Sequence, residues 1–277
     1  MLELEYFSLP FKIALLALGF ICGACFGSFV NCIQMRVRDK KSIFGRSVCP
    51  NCGHTLGVID LVPVFSYIFL RGKCRKCHEK ISPRYLIVEI LFGLTWVAVI
   101  LIYGWSLITI EYLILFTILC AEALWDFDVF EVPDTLHILA IVNFLAFLFA
   151  HDNPLSRLLQ GLIAGVIYGG AILIISLIMD KVYKKESIGG ADIKLLFVLG
   201  LYYGWKTMLL LLILSCLIGF ILAFVFKAGF QRAFPFIPAL VISALICSFI
   251  AEPFIAWYIG LFSLNDAVEG AHIHTHN

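Results

Sequence analysis

The chain has 277 residues, of which 62% are hydrophobic and 14% are charged, and its net charge is +1. Soluble domains are about 45–50% apolar and about 25% charged, so this composition excludes an ordinary soluble protein. The balanced charge, together with the lack of a nucleic-acid-binding motif, gives no indication of a nucleic-acid partner. We therefore predict an all-α membrane protein that crosses the lipid bilayer several times.

The first apolar run covers residues 13–30. It follows a short segment with the acidic Glu3 and Glu5, and no small-residue cleavage site comes after it, so we expect a retained helix and not a cleaved signal peptide. Since about 20 apolar residues span a bilayer, the later runs predict further helices, giving about eight in all. These runs lie near residues 86–103, 107–125, 135–150, 157–180, 193–205, 207–226 and 235–261.

One stretch, 193–226, has two interpretations. Gly200, Gly204 and Lys206 interrupt its apolar run, so it is either one long broken helix or two helices. The sequence alone leaves this choice open.

The basic residues predict the orientation of the chain. The polar loop 36–84 holds 11 of the 20 Lys and Arg residues, and the shorter loops 181–191 and 227–234 carry several more. Loops rich in Lys and Arg remain in the cytosol. With eight helices, all three loops fall on one side of the membrane, so we expect that side to be cytosolic.

Two Cys-x-x-Cys pairs lie in this polar loop, Cys49 with Cys52 and Cys74 with Cys77. Four thiolates at this spacing are typical of a structural zinc site, which has no open coordination position. The alternative, a pair of disulfides or free thiols, is disfavoured because disulfides do not persist in the cytosol. His54 and His78 follow the two pairs and are substitute ligands, although four cysteines already complete a tetrahedron.

Two aspartates mark the ends of apolar runs. Asp126 follows the run 107–125, and Asp192 precedes the run 193–205. A carboxylate at membrane depth is costly and is usually functional. Two of them predict an aspartyl pair, in which one carboxyl group holds the proton and the other is ionised.

Other acids surround Asp126. Asp128, Glu131 and Asp134 lie farther from the apolar run, so we interpret them as polar residues that solvate the helix end, and Asp128 is the alternative to Asp126 as the first catalytic acid. Paired carboxylates also occur in ion-coupled transporters. That class often shows internal repeats, which this sequence lacks, and a zinc lobe has no evident role in transport.

Several motifs follow one another in the order found in one family. They are Gly27-Ser28-Phe29-Val30-Asn31 with Arg36, the two cysteine pairs, Asp60-Leu61-Val62-Pro63-Val64-Phe65-Ser66-Tyr67, Gly72-Lys73-Cys74-Arg75, Ile81-Ser82-Pro83-Arg84-Tyr85 with Glu89, the segment from Asp126 to Asp134 that ends in Pro133-Asp134, and Gly189-Gly190-Ala191-Asp192-Ile193-Lys194-Leu195. In these residues the chain resembles the type IV prepilin peptidases, which are bifunctional leader peptidase/N-methyltransferases. The family has Gly-x-Gly-Asp where this chain has Ala191 before Asp192.

The resemblance implies an enzyme with two successive activities. It would cleave the leader peptide of prepilins or pilin-like secretion or competence proteins at the cytosolic face of a bacterial inner membrane, with Asp126 and Asp192 as the catalytic pair. It would then methylate the new N-terminal amine with S-adenosylmethionine. The expected cofactors are therefore structural zinc and this methyl donor, and the expected partners are the prepilin substrate and membrane lipid.

The expected domains follow from these activities. Residues 1–105, which include the zinc lobe 36–84, would form the methyltransferase region, residues 106–262 the peptidase region, and residues 263–277 a flexible tail. No glycine-rich nucleotide pocket is evident, so the methyl-transfer residues are candidates only, and each of them has an equal alternative as loop or helix-end structure. They are Asn31, Arg36, Gly72, Lys73 and Glu89.

Overall fold

The computed structural model describes residues 8–184, 188–226 and 234–274. Within these ranges the chain is helical apart from loops and two isolated β-bridges in the polar loop, so the predicted all-α class is confirmed. Short 3-10 turns cover Val58–Leu61 and Leu148–Ala150. The α-helices are α1 (Leu9–Arg38), α2 (Phe65–Phe69), α3 (Pro83–Tyr103), α4 (Leu107–Val129), α5 (Asp134–Ala146), α6 (Pro154–Tyr183), α7 (Gly190–Val225) and α8 (Ile237–His274).

Six helices of the described residues are long and apolar enough to cross a membrane, namely α1, α3, α4, α6, α7 and the part of α8 that ends at Tyr258. Helix α5 is shorter, with 13 residues. Each apolar run predicted from the sequence is helical. They do not form eight full-length spans, however, because α5 is short and two of the runs share α7.

Helix α7 is broken at Gly204. This residue has φ 66° and ψ 176°, which lies outside the helical region, and glycine adopts a positive φ without steric cost. A straight helix of this length would measure about 54 Å, well beyond the ~30 Å of a hydrocarbon core. The open question about 193–226 is thus answered by one element with two helical segments, 190–203 and 205–225.

The chain forms two compact units that divide after Ala150. The first contains α1 to α5 with the polar loop, and the second contains α6 to α8. Helix α4, which carries Asp126, therefore packs with α1 and α3. The predicted division by activity near residue 105 stays a prediction.

In the first unit, small residues bring α1 and α3 into close contact. Gly19, Gly23 and Gly27 recur every fourth residue on one face of α1, and a Cβ at Gly23 would lie 2.8 Å from the backbone oxygen of Phe92. Spacing of this kind lets membrane helices approach each other closely. The α1–α3 pair in turn supports the loop between its helices, which carries the cysteines.

The second unit repeats this packing between α6 and α7. Gly161, Gly165 and Gly169 face the first segment of α7, and a Cβ at Gly200 would lie 2.5 Å from the backbone nitrogen of Gly165. The contact is backbone against backbone. It fixes the segment of α7 that begins beside Asp192.

Candidate functional site

The first cysteine pair lies in a tight turn. The backbone N–H of Cys49 donates to the carbonyl of His54 at 2.9 Å, and the N–H of Gly53 donates to the carbonyl of Cys49 at 2.9 Å. Gly53 has a positive φ of 67°, which the turn requires. This geometry directs the side chains of Cys49 and Cys52 to one point.

The second pair repeats the same turn. Cys74 N–H donates to the carbonyl of Glu79 at 2.8 Å, and His78 N–H donates to the carbonyl of Cys74 at 3.0 Å. His78 thus takes the position that Gly53 has in the first turn, with a φ of 57°. A non-glycine residue in this region is uncommon, although histidine is enriched there. The backbone role of His78 explains why it follows the cysteine pair without being needed as a ligand.

The four sulfur atoms converge. Each ligand atom of Cys49, Cys52, Cys74 and Cys77 lies within 4.8 Å of the others, and the Sγ atoms of Cys49 and Cys77 are 3.8 Å apart. Tetrahedral zinc with Zn–S bonds of ~2.3 Å places neighbouring sulfurs ~3.8 Å apart, whereas a disulfide needs ~2.05 Å. All four thiols are free. The cluster therefore fits a zinc ion and does not fit two disulfides.

The backbone also prepares one of these thiols for metal binding. Hydrogen bonds from the backbone N–H groups of Cys52 and Asn51 lower the pKa of Cys49 to about 7. The thiolate is the form that binds metal. The lobe is braced further by Asp60, which accepts hydrogen bonds from the Gly57 N–H and from Arg75 Nε at 2.7 Å, and these donors lower the pKa of Asp60.

Glu89 joins the lobe to the membrane helices. It is buried in α3, and its Oε2 accepts the backbone N–H of Val64 at 2.7 Å. Val64 begins α2 with a φ of 64°, a strained conformation for a β-branched residue. The carboxylate of Glu89 thus holds the backbone at a point of strain, a role that its sequence position did not indicate.

Two further methyl-transfer candidates are built into the lobe. Gly72 has a φ of 66°, and a Cβ there would lie 2.9 Å from the ring of Tyr67. Arg36 donates to the carbonyls of Ile43 and Gly45 at 2.6 and 2.9 Å, which fixes the loop after α1. Both residues therefore have a structural role.

The remaining two candidates differ in exposure. Lys73 is exposed, and its backbone pairs with Lys80 in an isolated bridge. Asn31 is fully buried in α1, and its Oδ1 accepts Arg84 Nε at 3.2 Å. The Nδ2 atom of Asn31 has no hydrogen-bond partner among the described residues.

Asp128 is the centre of a polar network at the end of α4. Arg84 Nη1 donates to Asp128 Oδ1 at 2.7 Å, and Arg84 Nη2 lies 2.6 Å from Oδ2. Gln34 Nε2 donates to Oδ2 at 2.9 Å, and Arg38 lies 3.7 Å away. Asp128 is therefore held in place by donors at both of its oxygens, which leaves it poorly suited to carry a proton in catalysis. The network also places the end of α4 beside the ends of α1 and α3 that flank the lobe.

Asp126 lies one half-turn before Asp128 and is buried, with 8% of its surface exposed. Its carbonyl accepts the N–H of Phe130, which ends α4 in the left-handed conformation at φ 56°. A large aromatic residue there costs ~1–2 kcal/mol relative to a favoured conformation. The end of α4 that carries Asp126 is thus sharply defined.

Asp192 belongs to the second unit and lies in the first turn of α7. Gly189 is the N-cap residue, and its carbonyl accepts the N–H of Asp192 at 3.1 Å. Ala191 lies within the helix and does not have a positive φ. The methyl group of Ala191 is therefore compatible with this backbone, which explains why the departure from the family's second glycine is tolerated.

Comparison with known proteins identifies the family. The model of the bacterial peptidase A24 N-terminal domain matches residues 21–103, and that of the type IV leader peptidase family matches residues 113–224. A prepilin leader peptidase/N-methyltransferase from Neisseria gonorrhoeae is 31% identical over 86% of this chain and 90% of its own length. The chain belongs to the type IV leader peptidase family.

Two more relatives of this leader peptidase carry the same name. The one from Vibrio cholerae is 32% identical over 80% of this chain and 92% of its own length. The one from Myxococcus xanthus is 30% identical over 78% of this chain, which spans 64% of that longer relative. No solved structure matches the chain.

These matches confirm that the chain is a membrane aspartyl peptidase of a family whose relatives are named for both leader cleavage and N-methylation. They also decide against the transporter alternative. The roles assigned to individual residues of this leader peptidase remain predictions.

The sequence did not predict one buried pair of ionisable residues in this protein. Glu122 of α4 and His137 of α5 are 0% and 4% exposed, and His137 Nδ1 lies 2.8 Å from Glu122 Oε1. A signal was present, since Glu122 interrupts the apolar run 107–125 four residues before Asp126. Only the contact between helices shows that His137 is its partner.

Proposed function

We propose that this protein cleaves the leader peptide of prepilins or pilin-like proteins with Asp126 and Asp192, and then methylates the new N-terminal amine. The observation that carries the assignment of the first acid is the contrast between Asp126 and Asp128. Asp128 is engaged by Arg84 at two oxygens, whereas Asp126 is the buried carboxyl group at the same helix end. The family match and the named relatives both support leader-peptide cleavage and N-methylation as the overall activity.

The positions of the two aspartates at helix ends support separate roles for them. Asp192 lies in the first turn of α7, where the partial positive charge of the helix N-terminus favours an ionised carboxylate. Asp126 lies in the last turn of α4, where the partial negative charge favours a neutral carboxyl group. We therefore assign Asp192 as the general base and Asp126 as the general acid.

Cleavage then follows from these roles. Asp192 accepts a proton from the water molecule whose oxygen attacks the scissile carbonyl carbon. Asp126 donates its proton to the departing amine as the C–N bond breaks. At the end of the reaction the proton has moved from one carboxyl group to the other, so the pair as a whole again holds one proton.

The cysteine cluster supports one bound zinc ion with Cys49, Cys52, Cys74 and Cys77 as ligands. Zinc in such a closed site supplies folding energy to the lobe and no activated water. The lobe has few other means of holding its two turns together, because it contains no extended sheet among its described residues. We therefore assign the metal a purely structural role.

The methyl-transfer candidates fall into two groups. Arg36, Gly72 and Glu89 support the lobe through backbone contacts, as described above. Asn31 keeps a buried N–H donor without a partner among the described residues, which fits an acceptor group on a bound methyl donor. S-adenosylmethionine, when bound, supplies a methyl group on a positively charged sulfur. We propose that Asn31 contacts this cofactor and that Glu89 acts by fixing the lobe.

Charge supports a cytosolic location for the lobe and for Asp126. The loop 36–84 carries 11 of the 20 basic residues of the chain, and such loops remain in the cytosol. Arg38 and Arg84 lie near the two ends of this loop, and both contact Asp128. The end of α4 therefore lies on the same side of the membrane as the loop. We propose that the protein is a multi-pass protein of the bacterial inner membrane with its chemistry at the cytosolic face.

The proposed activity is tested with protein purified in detergent and a full-length prepilin. Cleavage at the leader junction, measured by the mass of the new N-terminus, is expected without any ion gradient. The mature pilin is expected to gain the mass of one methylene group only when S-adenosylmethionine is added. Prepilin that stays intact in the presence of folded protein would contradict the proposal.

A further inference from the structure

The contact between Glu122 and His137 is an unusual feature of the first unit. Both side chains are buried, and His137 Nδ1 lies 2.8 Å from Glu122 Oε1. The angle of this contact departs from hydrogen-bond geometry, so none of the four polar side-chain atoms has an aligned partner among the described residues. The pair is thus defined by the close approach of two buried atoms, and not by a set of aligned hydrogen bonds.

The pair lies close to the proposed catalytic acid. Glu122 and Asp126 are four residues apart on α4, so their side chains lie on the same face with Cβ atoms ~6 Å apart. His137 is in the first turn of α5, three residues after its first residue, Asp134. The contact therefore joins α4 to the start of α5 about one helical turn before Asp126.

Packing alone does not account for this choice of residues. Ionisable side chains inside a membrane helix are costly, and apolar residues of similar volume pack such an interface at least as stably. Several other charged groups at this end of the bundle have partners of their own, since Arg84 and Arg38 contact Asp128 and Glu89 accepts the N–H of Val64. Glu122 and His137 also lie outside the motifs that carry the family resemblance.

We propose that Glu122 and His137 form a positioning pair for Asp126. The pair fixes the start of α5 in one register against α4, and the last turn of α4 is thereby held with Asp126 in its reactive orientation. An apolar contact would stabilise the same two helices but would allow them to slide or rotate, because no single pair of atoms would be held together as Nδ1 and Oε1 are at 2.8 Å. This inference rests on the proposed role of Asp126.

The experiment compares single, exchanged and apolar variants in leader cleavage. Glu122→Gln, His137→Gln and the double variant Glu122→Leu/His137→Leu are each expected to lower kcat by on the order of 10- to 100-fold, with KM within about twofold. The exchanged variant Glu122→His/His137→Glu should restore kcat to within about threefold of the parent, since the pair is re-formed. The apolar double variant should unfold at a temperature no lower than the parent, so its loss of activity does not reflect unfolding.

Glu111→Gln is the matched control. Glu111 is also a fully buried carboxyl group on α4 but lies three turns away from Glu122, and its substitution should leave kcat unchanged. A parent-level kcat in the apolar double variant would overturn the inference, as would an exchanged variant as slow as the single ones or an equal loss in Glu111→Gln. If Asp126→Asn is inactive while all pair variants cleave normally, only this inference fails. If Asp126→Asn cleaves normally, the proposed function fails as well.

Discussion

Arg84, at the start of α3, binds both carboxylate oxygens of Asp128, at the end of α4, across 44 residues of sequence. Gln34 of α1 completes the contact through a hydrogen bond to Asp128 and another to the carbonyl of Leu124. Three helices are thus joined at the end where the lobe emerges. This network gives Asp128 a structural role at the helix end, and we propose Asp126 as the first catalytic acid.

The first prediction concerns this ion pair. Arg84→Lys should lower the free energy of unfolding by about 1–3 kcal/mol, because a lysine cannot make two parallel contacts with a carboxylate that is largely buried. The loss should be smaller in an Asp128→Asn background, measured as a double-mutant cycle by denaturant unfolding in detergent. The matched control is Arg75→Lys, since the side chain of Arg75 is 51% exposed where that of Arg84 is 27% exposed. Its ion pair with Asp60 should matter by less than about 1 kcal/mol. Equal losses in both variants would contradict the network.

The second prediction concerns metal binding. The purified protein should hold about one zinc ion per chain, and Cys49→Ser or Cys74→Ser should release it and loosen the lobe, because binding energy is folding energy in such sites. His78→Gly should keep the metal, since the backbone at His78 has a positive φ and its side chain lies outside the cluster of four sulfur atoms. Zinc content by elemental analysis and limited proteolysis of the 36–84 loop are the measurements. Loss of zinc in His78→Gly would contradict the four-cysteine ligand set.

The third prediction concerns the close packing of α6 on α7. Gly200→Ala should destabilise the second unit by about 1–3 kcal/mol, because its Cβ would lie 2.5 Å from the backbone of Gly165. Gly170→Ala is the matched control, since no atom lies within 4 Å of a Cβ at that helical position, and it should stabilise the helix by up to about 1 kcal/mol. Thermal unfolding of the two variants should therefore shift in opposite directions. A parent-like Gly200→Ala would contradict the contact.

The two patterns of glycines at four-residue spacing could have been found in the sequence, because they are local. The same is true of the cysteine turns and of the helical runs, which depend only on spacing and hydropathy. The pairing of Arg84 with Asp128, and that of Glu122 with His137, depends on which faces of the helices pack against each other. No local pattern encodes those partners, so the sequence distinguished Asp126 from Asp128 only by its distance from the apolar run.

The methyl-transfer candidates illustrate the same limit. Sequence position made Glu89 a candidate for methyl transfer, whereas its carboxylate accepts the N–H of the strained Val64. Arg36 and Gly72 are explained by the loop geometry they support. The resemblance identified the right region of the chain, but only contacts separate a residue that supports the lobe from one that can meet a cofactor.

The fourth prediction follows from this distinction. Glu89→Gln should lower methylation and spare cleavage, because the amide weakens the hold on the lobe while Asp126 and Asp192 are unchanged. The readout is the ratio of methylated to unmethylated mature pilin by mass spectrometry. Glu79→Gln is the control, since the side chain of Glu79 is exposed on the same lobe. A parallel fall of cleavage and methylation in Glu89→Gln would show that the residue supports the whole protein.

The central claim is that Asp126 and Asp192 form the catalytic pair. Its most direct test is the rate of leader cleavage by purified Asp126→Asn, Asp192→Asn and the double variant, followed by the mass of the prepilin N-terminus. Each single variant should be as inactive as the double variant, with losses on the order of 10³-fold or more, because the two groups act as one unit. Asp128→Asn should stay within about tenfold of the parent rate, since its role is to position the helix end. Parent-level cleavage by Asp126→Asn, with Asp128→Asn inactive, would contradict the account.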